Sequence, residues 1–114
     1  MYNAAAAGEF GMPEGAARRL SAACDALIDG LRQARLAGGE LTEVSGFSEL
    51  PSGRALARGF GAKGAEYREV LAGLQEAAWR LKAGYLAAAR LFEEADAANR
   101  AALEVAADEL GEEI

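Results

Sequence analysis

Apolar residues between positions 13 and 37 recur at spacings of three and four, as Leu20, Cys24, Leu27, Leu31 and Ala34, while Arg18, Arg19, Asp25, Asp29 and Arg32 fall elsewhere on the wheel. This is the 3.6-residue period of an amphipathic helix. Pro13 suits its first turn, where a backbone N–H has no partner to lose. Gly38-Gly39 suits its end, because glycine is favoured just past a helix terminus. Residues 38–53, GGELTEVSGFSELPSG, lose the period, and their glycines, serines and Pro51 mark a linker. A short helical turn is expected around Phe47–Leu50, with Phe47 placed to cap the open end of a core.

The period returns in a second, longer helix. It starts between Gly53 and Gly64, is secure from Ala65, and runs to about Leu110. Taken in sevens, one row is Tyr67, Leu74, Leu81, Ala88, Ala95 and Ala102. The next is Leu71, Ala78, Tyr85, Phe92, Asn99 and Ala106, and a third is Val70, Ala77, Gly84, Leu91, Ala98 and Val105. A fourth, Ala72, Trp79 and Leu86, is apolar only in the middle. Three rows suffice to pack one helix into a hairpin. At 1.5 Å per residue the second helix reaches about 70 Å from Ala65, against about 38 Å for the first. A shorter partner cannot cover four rows, and an uncovered apolar patch marks an association surface.

The expected fold is therefore all-α: an antiparallel two-helix hairpin, assembling with a second hairpin as a four-helix bundle dimer. Helix one covers about 13–37, the linker 38–53, and helix two runs from 54 or 65 to 110, within a domain spanning 12–114. The candidate pairing interface is Leu20, Leu27, Leu31, Val70, Leu71, Leu74, Trp79, Leu81, Tyr85 and Leu86. Mid-helix Gly84 costs about 1 kcal/mol against alanine, and a close backbone approach would compensate it. Glu76–Arg80 and Asp96–Arg100 are spaced for i,i+4 pairs on the solvent side.

Composition agrees with a helical core built from small residues. The 114 residues are 52% hydrophobic but only 7% aromatic, so alanine and leucine must fill the interior. Net charge is −6, and residues 93–114 hold eight acids against one arginine. An acidic end does not seek phosphates, which excludes a nucleic-acid arm. No run approaches the roughly 18–20 apolar residues of a membrane span, so no membrane insertion is expected. The polar face is not lysine-rich, which disfavours surface binding to lipid.

Chemistry is equally restricted. Cys24 is the single cysteine and histidine is absent, so no intrachain disulfide, serine–histidine or cysteine–histidine catalysis, or conventional zinc site can form. Cys24 sits on the apolar stripe of helix one and is read as a small hydrophobe. Glu93, Glu94 and Asp96 belong to an exposed acidic run with no implied pocket. No enzyme activity, cofactor or metal is expected. The opening MYNAAAAGEFGMPEG lacks both a basic leader and a long apolar core. Residues 1–11 are expected to lie outside the fold, as a disordered arm or a remnant of cloning ahead of a natural start at Met12.

Residues 67–103, YREVLAGLQEAAWRLKAGYLAAARLFEEADAANRAAL, resemble the second helix of the EspC-like group within the WXG-type helical hairpins of type VII (ESX) secretion. The resemblance covers about 12–110 and includes the glycine-bearing loop and the alanine-rich, actinobacterial-looking composition. It implies a hairpin that dimerises with itself or with a related hairpin or an effector's helical domain. It also implies export without a cleavable signal peptide, and the secretion ATPase as a further partner. In that family an aromatic–acid pair four residues apart serves as the export signal, and Phe92 and Asp96 fall at its place. Phenylalanine stands where the family has tyrosine. The family's Trp-x-Gly turn is missing, and SGF at 45–47 and RGFG at 58–61 are the nearest substitutes. The expected function is thus a type VII secretion protein acting by helix–helix pairing, cytoplasmic before export. The alternative is a cytoplasmic chaperone or adaptor that pairs with the helical targeting region of a larger effector or toxin.

Overall fold

The computed structural model describes residues 1–8, 10–39 and 51–112, and over them it is all-helical. A short α1 (Tyr2–Ala6) precedes three long helices, α2 (Glu14–Gly39), α3 (Pro51–Ala88) and α4 (Phe92–Glu112). Helix α3 is the axis of the fold, and α1, α2 and α4 all pack on it.

The buried row of α2 is Ala17, Ser21, Cys24 and Ile28, spaced by four, three and four; of the stripe expected from the sequence only Cys24 lies in it, and Leu20 and Leu27 are exposed. The row meets Ala78 of α3, with Trp79 and Tyr85 packed around. Asp25 bonds Lys82 at 2.6 Å, and further along Arg35 Nη1 donates to Gln75 Oε1 at 3.0 Å, so α2 and α3 run antiparallel. Helix α4 returns along α3 and is parallel to α2: Arg18 near the start of α2 reaches Glu94, and Arg35 near its end reaches Glu109. The Arg18 pair is half exposed and contributes little. The Arg35 pair is mostly covered and also satisfies buried Gln75, so it ties the far ends of three helices together.

The long second helix expected from 54 or 65 to 110 is divided. Helix α3 stops at Ala88 and α4 starts at Phe92, although no proline or glycine lies between them. Arg90 takes the left-handed conformation, φ 64°. The Leu91 N–H donates to the Leu86 carbonyl and the Arg90 N–H to the Ala87 carbonyl. These are the two hydrogen bonds of a Schellman cap, and Leu91 completes it by packing on the cluster that holds Leu86. Glutamates 93 and 94 then occupy the first turn of α4, where negative charge suits the helix dipole. The two-helix hairpin is accordingly replaced, within one chain, by three long helices with α3 shared.

Fold-back puts alanine against alanine. Ala95, Ala98, Ala102 and Val105 of α4 are buried, as are Ala72, Ala83 and Ala87 of α3. Methyl groups let two backbones approach closely, but each removes little area from water, at about 25 cal/mol per Å2. Leu86, 2% exposed, is the largest side chain fully enclosed among the described residues. The core is long, thin and short of bulk.

Three further expectations change. Residues 1–11 do not lie outside the fold: α1 buries Ala5 against Leu86, Ala87, Ala88 and Ala95. The Met12 N–H donates to the Ala88 carbonyl, closing one of the last open acceptors of α3. The linker is shorter than 38–53, because α2 extends to Gly39 and α3 begins at Pro51. Gly84 is approached by a side chain rather than by a backbone, since a Cβ there would lie 2.8 Å from the Met1 Cγ. The expectations for Phe47, its helical turn and the 45–47 segment fall on residues outside those described.

A β-branched residue at position 90 should weaken the bend. Arg90→Val is expected to cost about 1–2 kcal/mol and lower the thermal midpoint, because a branched Cβ is poorly tolerated at positive φ. Arg90→Gly should hold or raise the midpoint. Circular-dichroism melts of the two variants check this, and an unchanged midpoint in Arg90→Val would contradict a left-handed residue there.

Candidate helix-pairing face and the Phe92–Asp96 site

The candidate interface residues separate into two sets once α4 folds back. Leu71 and Leu86 are buried within the chain. Trp79 and Tyr85 are partly covered against Cys24, Ile28 and Ala78, and the Lys82 ammonium lies 5.2 Å from the Trp79 ring centre. The bulk of these side chains is taken up inside the subunit, and Leu31 is half-buried as well. The others stay in water: Val70 is 59% exposed, Leu27 52% and Leu74 50%, with Leu20 and Leu81 a little less so.

These exposed residues share a side. At about 100° per residue, Val70, Leu74 and Leu81 lie roughly opposite Ala72, Ala83 and Ala87, which are buried. Leu20 and Leu27 likewise lie on the flank of α2 turned away from Arg18 and Asp25. The result is one apolar face over the α2–α3 pair, on the side that α4 does not cover. Within it the α3 row is Tyr67, Val70, Leu74, Ala77 and Leu81, spaced three, four, three and four. Such a strict alternation has the spacing of a coiled-coil seam, in which each residue would insert between side chains of a facing helix. Single exposed leucines are ordinary, but a contiguous rank of them is not.

An open groove of about 630 Å3 continues this face toward α1, between Leu81 and Arg80 of α3 and Asn99 and Leu103 of α4, with Met1 and Tyr2 at its end. Its walls offer apolar carbon and the polar groups of Tyr2, Asn3, Arg80 and Asn99, with no arrangement of acid, base and nucleophile. Among the described residues no group of three His, Cys, Asp or Glu side chains could hold a metal ion. Nor is any helix among them long and apolar enough to cross a membrane. Cys24 is buried, and that burial, reinforced by Asp25 and opposed by Lys82, pushes its thiol pKa up.

Phe92 and Asp96 stand together at the head of α4. Phe92 is 39% exposed, with the Arg90 guanidinium 5.8 Å from its ring centre. Asp96 is exposed but not idle: the Tyr2 hydroxyl donates to its Oδ1 at 2.9 Å. The carboxylate that the sequence places opposite Arg100 is thus engaged by α1, a partner invisible to any i,i+4 rule. The hydrogen bond to Asp96, aided by burial, holds the Tyr2 pKa above the ordinary phenol value. Glu76–Arg80 forms as expected, at 2.8 Å.

No family model, curated protein or solved structure matches the chain.

A raised phenol pKa means that the Tyr2–Asp96 bond stabilises the fold fully below the unfolded tyrosine pKa and is lost as pH rises through the folded one. The Tyr2→Phe variant should therefore melt below the parent near neutral pH. That gap should close at alkaline pH, beyond the ordinary tyrosine range. Paired melts across pH test it, and a gap that persists in strong alkali would remove the hydrogen bond from the account.

Proposed function

We propose that this protein acts by helix–helix pairing, as a secretion-associated helical protein of the type VII kind that associates with itself or with a helical region of another chain. The observation that carries the pairing is the bare seam Tyr67–Val70–Leu74–Ala77–Leu81, continued across α2 by Leu20 and Leu27. A chain whose core is mostly alanine has few large side chains enclosed. Covering one more leucine or valine contributes about 1.5–3 kcal/mol, which is large beside the stability of a small domain.

The type VII setting rests on the resemblance of residues 67–103 and on the aromatic–acid pair at the surface of α4. Phe92 offers an apolar anchor and Asp96 a charge within one turn of it. A second reading is favoured by one contact. Because Tyr2 already holds Asp96, the pair is not freely presented, and the chain then suits a cytoplasmic adaptor that covers a larger effector's helices.

Two measurements address these points. In extracts of the source cell the parent chain should run as part of a complex. Leu74→Glu should run as a lone chain with unchanged helicity, since Leu74 is half exposed in the single subunit. A parent that runs alone in those extracts would overturn pairing. Separately, the double variant Phe92→Ala, Asp96→Ala should vanish from the culture medium while retaining its association. Its arrival outside the cell at the parental level would overturn the export signal and leave pairing untouched.

A further inference from the structure

We infer that the occupant of the α3 seam is a second copy of the same chain, lying antiparallel with a two-fold axis beside Gly73. The inference rests on the pairing reading and adds to it the partner, the direction and the register.

The charges beside the seam carry the argument. Residues immediately before its Tyr67, Leu74 and Leu81 positions are Glu66, Gly73 and Arg80, and all three are exposed. In antiparallel coiled coils these flanking positions meet their own counterparts across the seam. A two-fold axis at Gly73 therefore sets Glu66 beside Arg80 of the second copy, and Arg80 beside Glu66 of the second copy. One acid and one base, placed symmetrically about a glycine, complement themselves twice. A parallel pairing would instead set Glu66 beside Leu71 and Arg80 beside Tyr85, where neither charge finds an opposite. Self-complementarity of this sort is what an isologous interface demands.

The same register fits the apolar layers. Tyr67 packs over the second copy's Ala77, large against small, and Val70 packs beside its Leu74. Gly73 comes next to itself, and a Cβ there would meet nothing within 4 Å in the single chain, so the two backbones can come close at the axis. Sliding one heptad further would bring Tyr67 onto Gly84, which the Met1 side chain already covers. Helix α1 therefore closes the seam at that end and selects the register. In the lone subunit Arg80 reaches Glu76 and Lys63 reaches Glu66. Both are exposed pairs of small worth that can be shared or exchanged on association.

Sedimentation equilibrium on the purified full-length chain tests this. The parent should dimerise with concentration. Glu66→Lys puts two like-charge pairs into its own dimer, and so does Arg80→Glu. Each should weaken self-association by roughly tenfold, as two pairs pass from attraction to repulsion. An equal mixture of the two single variants should regain parental association. In the mixed dimer the lysine introduced at position 66 of one chain faces the glutamate introduced at position 80 of the other, and the native Arg80 and Glu66 face each other on the opposite side of the axis. Loss of an intrachain pair cannot produce that recovery. A mixture that associates no better than either variant overturns the register. A parent that stays monomeric when pure, yet runs as a complex in source-cell extracts, overturns the second copy while pairing with another chain stands.

Discussion

The left-handed turn at Arg90 decides where every apolar row of the chain ends up. It converts one helical stretch of residues into two helices lying side by side. The alanines at 95, 98 and 102 are thereby delivered to the flank of α3. Without the turn they would project past the end of α2, with no surface to meet. The cost is a non-glycine residue at positive φ, on the order of 1–2 kcal/mol. It is offset by two capping hydrogen bonds and by Leu91 packing against Leu86.

An alanine interior has a consequence for the outside. Close approach of α3 and α4 needs small residues on both, and small residues leave the large ones for other faces. Helix α2 takes Ala78, Trp79 and Tyr85, and α1 takes the end near Gly84 and Ala88. What remains is a straight rank of side chains with coiled-coil spacing, left largely exposed in the subunit. A monomer gains nothing from such regularity on a wet surface, whereas a facing helix gains a hole for every knob. The pairing we propose rests on the distribution of bulk as much as on total hydrophobicity.

Helix α1 links the two sites. Ala5 plugs the cap of α3, Met1 lies over Gly84, and Tyr2 holds Asp96. Together they cover one end of the seam and one member of the aromatic–acid pair. They were the least promising stretch of the sequence, because an alanine run without charge periodicity has no amphipathic face to place. Its address depends on a hollow that exists only once α3 has ended and α4 has returned.

Much else was legible in advance. Three-and-four spacing identified α2 as an amphipathic helix and named Cys24 as a core residue, since periodicity is a property of one helix and needs no partner; it set the buried row to one side of its true place, because Ala17, Ser21 and Ile28 are enclosed while Leu20 and Leu27 are exposed. The same arithmetic found four apolar rows in the second stretch and the excess among them. Its bend was missed because the usual sign is a glycine, and Arg90 stands at that position. Fainter signs were present in the Leu86–Leu91 spacing of a capped end and in Glu93-Glu94 at the head of a new helix. The sequence alone determined that the chain is helical and oversupplied with apolar surface, because local period and composition suffice for both. Which rows are consumed inside and which stay bare was decided by tertiary structure, because that depends on where a helix stops and which face the next one meets.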